Sequence, residues 1–125
     1  MTNKLIYPEL SYKINGIIFE VHNELGGSHL EKYYQKAIAI KLKKYNIQFV
    51  EQYYIPLMVE NQIIGKYFLD FLIEDKIVLE LKRGRYIPRN VYYQTNKYLQ
   101  TLNLHLAIVA CFATDVAVIK RIINQ

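Results

Sequence analysis

The stretch GKYFLDFLIEDKIVLELKRGR, residues 65–85, reads as two apolar β-strands joined by a polar loop. Each strand nevertheless carries a carboxylate near its middle, Asp70 in the first and Glu80 in the second. Lys82 follows two residues after Glu80. Charged side chains in core-forming segments are costly unless they are paired or bind a cation. This stretch therefore indicates both a β-hairpin and a candidate functional site.

The length of the loop between these two strands determines whether the charges meet. Strand side chains alternate between the two faces, so Asp70 is expected on the face of Leu72. A three-residue loop over 74–76 would also place Asp70 directly opposite Glu80, with Cβ atoms roughly 5 Å apart. A two-residue turn would instead pair Asp70 with Leu79 and send Glu80 to the other face. Three-residue loops are common in hairpins, but the sequence leaves both registers open.

Two carboxylates that oppose each other on a partly buried face repel. Either one of them stays protonated or a cation neutralises both. Lys82 can supply one positive charge. A divalent cation that prefers oxygen ligands, Mg²⁺ or Mn²⁺, would supply more. The alternative is a half-exposed face with an ordinary Glu–Lys pair, which contributes little to stability.

The remaining sequence predicts an α/β (α+β) fold in which helices flank a mixed central β-sheet. Hydrophobic periodicity and turn residues give the order α-α-β-β-β-α-β-β. The predicted elements are a helix from Pro8 to Gly26-Gly27, a second helix ending near Tyr45, strands over 47–59, 63–73 and 77–82, a helix over 89–102, and strands over 105–112 and 116–123. The apolar run 105–112 is typical of a strand that is buried on both faces.

Composition narrows the class of protein. The 125 residues are 52% hydrophobic, which predicts one domain over 1–125 with a real core. The net charge of +5 is compatible with a nucleic-acid partner. The single cysteine excludes an internal disulfide and a thiolate zinc cluster. Without a signal peptide or a run long enough to cross a bilayer, the chain is expected to be soluble and cytoplasmic, with no membrane partner.

An Asp on one strand, followed by Glu-x-Lys on its hairpin partner, resembles the PD-(D/E)XK nuclease superfamily with its restriction-endonuclease-like core. More narrowly, the chain resembles the GxxExxY proteins. The matching blocks are VHNELGGSHLEKYYQKAIAIKL (21–42), GKYFLDFLIEDKIVLELK (65–82), YYQTNKYL (92–99) and IKRII (119–123). Three residues depart from these patterns. Ser28 replaces a Gly, Leu69 replaces the usual Pro before the Asp, and Arg83 follows the Lys where a small residue is common.

The resemblance implies a nuclease that depends on Mg²⁺ (or Mn²⁺) and hydrolyses phosphodiester bonds, in DNA more often than in RNA. Asp70 and Glu80 would bind the metal, together with the carbonyl group of Leu81. Lys82 would orient the attacking water or stabilise the negative charge that develops on the phosphate. Glu31 would hold the metal's water shell from a helix beside the sheet.

The third predicted helix would support this site through Gln94 and, one turn later, Tyr98. The residues expected to hold the nucleic-acid backbone are Arg83, Arg85, Arg89, Gln94 and Lys97. Other roles remain open. Ser28 and Glu31 also form a capping-box pattern, and Tyr98 lies on the apolar stripe of its helix. The whole chain could also be a non-catalytic nucleic-acid-binding or accessory module, and its twelve Tyr could form a homodimer interface.

Overall fold

A computed structural model describes residues 6–124 of the chain. The predicted order of elements is confirmed, and the observed bounds are close to the expected ones. The elements are α1 (Pro8–Leu25), α2 (Glu31–Lys44), β1 (Phe49–Val59), β2 (Gln62–Ile73), β3 (Ile77–Arg83), α3 (Arg89–Leu102), β4 (Leu106–Phe112) and β5 (Ala117–Ile123).

The five strands form one mixed sheet in the order β1-β2-β3-β4-β5. Three of the four neighbouring pairs are antiparallel, and β3 pairs with β4 in parallel. A parallel pair needs a crossover connection, and α3 supplies it between β3 and β4. This connection brings α3 over one face of the sheet, next to the strand that carries Glu80.

The core has two layers, one on each face of the sheet. On one face α1 and α2 pack Ile18, Tyr34 and Ile38 against Leu79 and Ile108, among others. On the other face α3 packs its own residues against the sheet. The cluster on that face includes Leu69, Leu72, Val78, Tyr98, Leu99 and Val109. All seven residues of β4 are buried, so the prediction of a strand covered on both faces is confirmed.

The start of α2 differs from the capping-box interpretation. Leu30 precedes the helix as its N-cap without a side-chain hydrogen bond, and Glu31 is the first helical residue rather than the third. Ser28 lies in the loop with φ of 69°, in the left-handed region where glycine is favoured. The capping-box interpretation is therefore wrong, because the loop from Gly26 continues past Ser28 before the helix begins.

The outer half of the β1–β2 hairpin extends beyond the helices that cover the rest of the sheet. Its apolar side chains are exposed at Met58, Val59, Ile63 and Ile64. Across residues 6–124, no helix combines the length and the apolar character that spanning a membrane requires.

Candidate metal and phosphodiester site

The loop between β2 and β3 sets the register of the two strands. Glu74 and Asp75 both have positive φ, 53° and 54°, and the Lys76 N–H donates a hydrogen bond of 2.9 Å to the Ile73 carbonyl. Ile73 consequently pairs with Ile77, as a three-residue loop requires. The alternative pairing of Asp70 with Leu79 is wrong, since Phe71 occupies that position.

Beyond Phe71 and Leu79 the backbones of β2 and β3 separate, while β3 continues beside β4 as far as Arg83. We call this gap the β2–β3 fork. Side chains replace the missing ladder bonds there. The Asp70 N–H donates to Glu80 Oε1 at 2.9 Å, and the Leu81 N–H donates to Asp70 Oδ2 at 2.8 Å. The two carboxylates are thus held together, each by a backbone group of the other strand.

The Leu81 carbonyl also faces the fork. In an extended strand the N–H and C=O of one residue point to the same side, and the Leu81 N–H points towards Asp70. The fork therefore gathers two carboxylates and one backbone carbonyl, which are all oxygen donors.

A distortion in β1 and β2 makes this arrangement possible. Gln52 and Asp70 are unpaired, although Glu51 pairs with Phe71 and Tyr53 with Leu69 on either side of them. Gln52 adopts φ of 49°, a strained value for a residue within a strand. Its amide lies 3.4 Å from Asp70 Oδ1. Because the regular pairing with β1 is lost, the Asp70 N–H is free to bond to Glu80.

The same distortion interrupts the alternation of faces in β2. Leu69 and Leu72 pack in the cluster beneath α3, while Phe71 packs on the opposite face with α1 and α2. Regular alternation predicted Asp70 and Leu72 on one face and Leu69 on the other. Leu69 instead lies on the same face as Leu72. Sequence reasoning also missed Gln52, whose only signal was a polar residue in a strand of Phe, Tyr and Ile.

Both carboxyl groups resist ionisation. Glu80 is only 8% exposed. Burial, followed by the negative charges of Asp70 and Glu31, raises the pKa of Glu80 to about 8. The hydrogen bond from the Asp70 N–H and the charge of Lys82 oppose this rise. Burial also raises the pKa of Asp70, although the Leu81 N–H and the Lys82 charge oppose the rise. A cation placed between the two groups would favour their ionised forms.

Lys82 is partly buried, and its charge reaches both carboxylates without a direct ion pair. Among the described residues, ion pairs within 4.0 Å join Lys41 to Glu20 and Glu24 and Arg85 to Asp115. The alternative of a half-exposed Glu–Lys pair is therefore wrong, because Glu80 is buried and Lys82 does not pair with it.

Glu31 lies close enough for its charge to raise the pKa of Glu80. It does not complete a ligand cluster, since no three His, Cys, Asp or Glu side chains in the range 6–124 converge as metal ligands would. A metal at the fork would therefore depend on Asp70, Glu80 and the Leu81 carbonyl, with Glu31 in an outer position.

From α3, Tyr98 is buried against the fork, and Gln94 lies on the rim of an adjacent groove. Burial raises the pKa of Tyr98, and the negative charge of Glu80 adds to the rise. Tyr98 therefore belongs both to the core, as its place on the apolar stripe indicated, and to the surroundings of the carboxylates.

The expected nucleic-acid contacts divide into three places. Arg85 forms an ion pair of 2.6 Å with Asp115, which compensates its charge. Arg83 is exposed and lines a recess with Ser28 and Thr114. The others, Arg89, Gln94 and Lys97, lie on α3, where Arg89 is exposed at the start of the helix and the other two line the groove.

Comparison with known proteins shows that the chain as a whole resembles a described family and a solved structure. A family model for the PD-(D/E)XK nuclease superfamily matches residues 8–122. The crystal structure of SSO0001 is similar with a TM-score of 0.58 and 17% sequence identity, over 76% of this chain and 50% of that one. The chain thus spans about half the length of SSO0001, and at this identity the likeness shows the fold alone. No curated protein matches the chain.

Proposed function

The chain belongs to the PD-(D/E)XK nuclease superfamily, and from this premise we propose that it hydrolyses phosphodiester bonds in DNA or RNA with the help of a divalent cation. The observation that carries the proposal is the pairing of Asp70 and Glu80 across the β2–β3 fork. The carboxylates of Glu80, which is buried, and Asp70, which is half-buried, both have raised pKa values and form a site that gains from a bound cation.

The donors at the fork fit a hard cation. Asp70, Glu80 and the Leu81 carbonyl would hold Mg²⁺ or Mn²⁺, which prefer oxygen ligands. When bound, the ion supplies a more acidic water and polarises a phosphoryl oxygen. Glu31 would hold a water of the ion's shell, consistent with its outer position.

Lys82 would stabilise negative charge on the phosphate or orient the attacking water. Its ammonium group lies within electrostatic reach of both carboxylates but is not committed to an ion pair within the described residues. A cation held in place in this way often stabilises the transition state by a few kcal/mol, which corresponds to a rate increase of roughly 100-fold or more.

Polar and basic groups on α3 and at the end of β3 would hold the nucleic-acid backbone. Arg83, Arg89 and Lys97 are exposed and available for phosphate contacts, and Gln94 lies beside Lys97 in the lining of the same groove. Arg85 contributes less, because Asp115 already compensates its charge. Such binding weakens as the salt concentration rises.

We further infer that the chain is a GxxExxY protein. The motif positions Ser28, Glu31 and Tyr34 have identifiable physical roles in this fold. Ser28 adopts the left-handed backbone conformation that the motif's Gly would favour. The Tyr34 hydroxyl donates a hydrogen bond of 2.7 Å to the Gly26 carbonyl, and its ring stacks on Phe112 at 4.1 Å. These contacts hold the loop that presents Glu31.

Cleavage assays with plasmid and single-stranded substrates test the proposed activity. In Mg²⁺ or Mn²⁺ we expect the parent protein to cut at least one substrate. Asp70→Asn and Lys82→Ala should each lower the rate by roughly 100-fold or more. Asp75→Asn and Lys76→Ala are matched controls in the loop of the same hairpin, and they should cut like the parent.

A parent protein that cuts no substrate in either metal would refute the proposal. If that protein still binds nucleic acid, and binding survives the Asp70 and Lys82 substitutions, the chain is an accessory module. A second readout is independent of turnover. Mn²⁺ should raise the melting temperature of the parent but not of Glu80→Gln, since ligand binding to the folded state stabilises it.

A further inference from the structure

The helix α3 and the β1–β2 hairpin enclose a groove of about 330 Å³ that opens to solvent. Four of its helical lining residues are Tyr93, Gln94, Lys97 and Tyr98, and Tyr67 lies across from them. Residues 93, 97 and 94, 98 are spaced four apart, so they lie together on one face of the helix. The volume falls at the lower end of the range of small-ligand sites, about 300–1,000 Å³.

This groove lies beside the β2–β3 fork, because Tyr67 on its β2 side precedes Asp70 by three residues along the strand and its ring lies 5.5 Å from that of Tyr98. Tyr98 lines the groove, and its hydroxyl is close enough to the fork for the charges of Glu80 and Asp70 to act on it. If one phosphate of a nucleic-acid strand binds at the fork, the neighbouring nucleotide of that strand would therefore lie at the groove.

The side chains of the groove combine three kinds of contact. Tyr67 and Tyr98 form an aromatic pair with ring centroids 5.5 Å apart and a tilt of 54°, and Tyr93 is 67% exposed at the rim. The Gln94 amide can both donate and accept hydrogen bonds. Lys97 adds a positive charge to the lining. Proteins that bind single-stranded nucleic acids use aromatic faces together with basic groups in this way.

We propose that this groove binds an unpaired nucleobase adjacent to the phosphate that is cleaved, so that the substrate is single-stranded or has an unpaired end. The proposal rests on the proposed function. Tyr93 stacks on the base, Gln94 bonds to its edge and Lys97 contacts the neighbouring phosphate. A base within a duplex cannot enter, because it is stacked and paired and must first be taken out of the helix.

Binding measurements on the full chain without metal test this proposal separately from catalysis. The probes are a fluorescent thymidine strand of about 15 nucleotides, an abasic strand of the same length and charge, and a closed duplex. Tyr93→Ala should weaken thymidine binding by roughly 5- to 100-fold and leave abasic binding unchanged. Tyr12→Ala is the control, since Tyr12 is 80% exposed on α1 and lies outside the groove.

Lys97→Ala provides a second variant with a different signature. It should reduce the slope of log affinity against log salt by roughly 0.7 for the thymidine and abasic strands alike, as expected for one lost phosphate contact. An unchanged slope would remove Lys97 from the proposal.

Equal parental affinity for the thymidine and abasic strands would overturn the proposal, as would equal losses in Tyr93→Ala and Tyr12→Ala. A change from dimer to monomer in Tyr93→Ala, with unchanged affinity, would assign the groove to a second copy of the chain instead. Failure of the proposed function has a different signature. In that case no substrate is cut in Mg²⁺ or Mn²⁺, while the preference for bases over abasic residues persists.

Discussion

Replacing Glu80 by Gln tests whether this carboxyl group is protonated in the folded protein without metal. Burial and the charges of Asp70 and Glu31 raise its pKa to about 8, from an ordinary value of 4.5. Between these pH values the folded state keeps a proton that the unfolded state releases. The free energy of unfolding therefore falls by about 1.4 kcal/mol per pH unit as the pH rises. The stabilisation from protonated Glu80 is fully present below about pH 4.5, the pKa of the unfolded chain. It is lost by about pH 8, the pKa of the folded protein.

The Glu80→Gln variant keeps the local hydrogen bond, because its side-chain amide retains an oxygen that can accept from the Asp70 N–H, as Glu80 Oε1 does at 2.9 Å. The amide cannot ionise. Between about pH 4.5 and pH 7 the parent should lose about 3 kcal/mol of stability from this one group, and Glu80→Gln should not. For a chain of this size the difference corresponds to roughly 10 °C in melting temperature.

Urea unfolding in the absence of metal, over a series from about pH 4.5 to 7.5, measures the effect. The relevant quantity is the difference in unfolding free energy between Glu80→Gln and the parent, since the titrations that both proteins share then cancel. Asp75→Asn is the control, because Asp75 is exposed in the same hairpin. A difference that stays constant with pH would refute the reasoning, since Glu80 would then ionise as it does in the unfolded chain.

Three further predictions concern strained or crowded backbone. Ser28→Gly should raise the free energy of unfolding by up to about 1 kcal/mol, because φ is 69° there; a loss of stability would contradict this. Gly27→Ala should lower it by more than about 3 kcal/mol, since a Cβ would lie 2.6 Å from a backbone carbonyl oxygen of the β4–β5 loop. The control Gly16→Ala should raise the free energy of unfolding by about 1 kcal/mol, because a Cβ at this position within α1 meets open space. Equal melting temperatures for Gly27→Ala and Gly16→Ala would contradict the crowding at Gly27. Gln52→Ala should lower kcat roughly fivefold with KM unchanged, as it removes the amide beside Asp70; an unchanged kcat would exclude a positioning role.

Much of the fold follows from signals that lie close together along the chain. Pro8 begins α1, where its fixed φ suits the first helical turn, and Gly26 ends α1 with φ of 74°, a conformation that glycine adopts readily because it has no Cβ. Glu74 to Lys76 form a loop of the length that sets the β2–β3 register, and the continuous apolar run becomes the buried strand β4. Each of these features depends on residues within one turn or one strand, so their spacing can be read directly.

The chemical state of the site depends on parts of the chain that lie far apart in sequence. Alternation along β3 identified the face of Glu80, but α3 and the opposing Asp70 determine how deeply it is buried and how its pKa shifts. The unpaired Gln52, the β2–β3 fork and the groove beside Tyr98 arise from β1, β2 and α3 meeting in space. Desolvation and charge interactions depend on distance in the folded chain, and for that reason only the tertiary structure determined them.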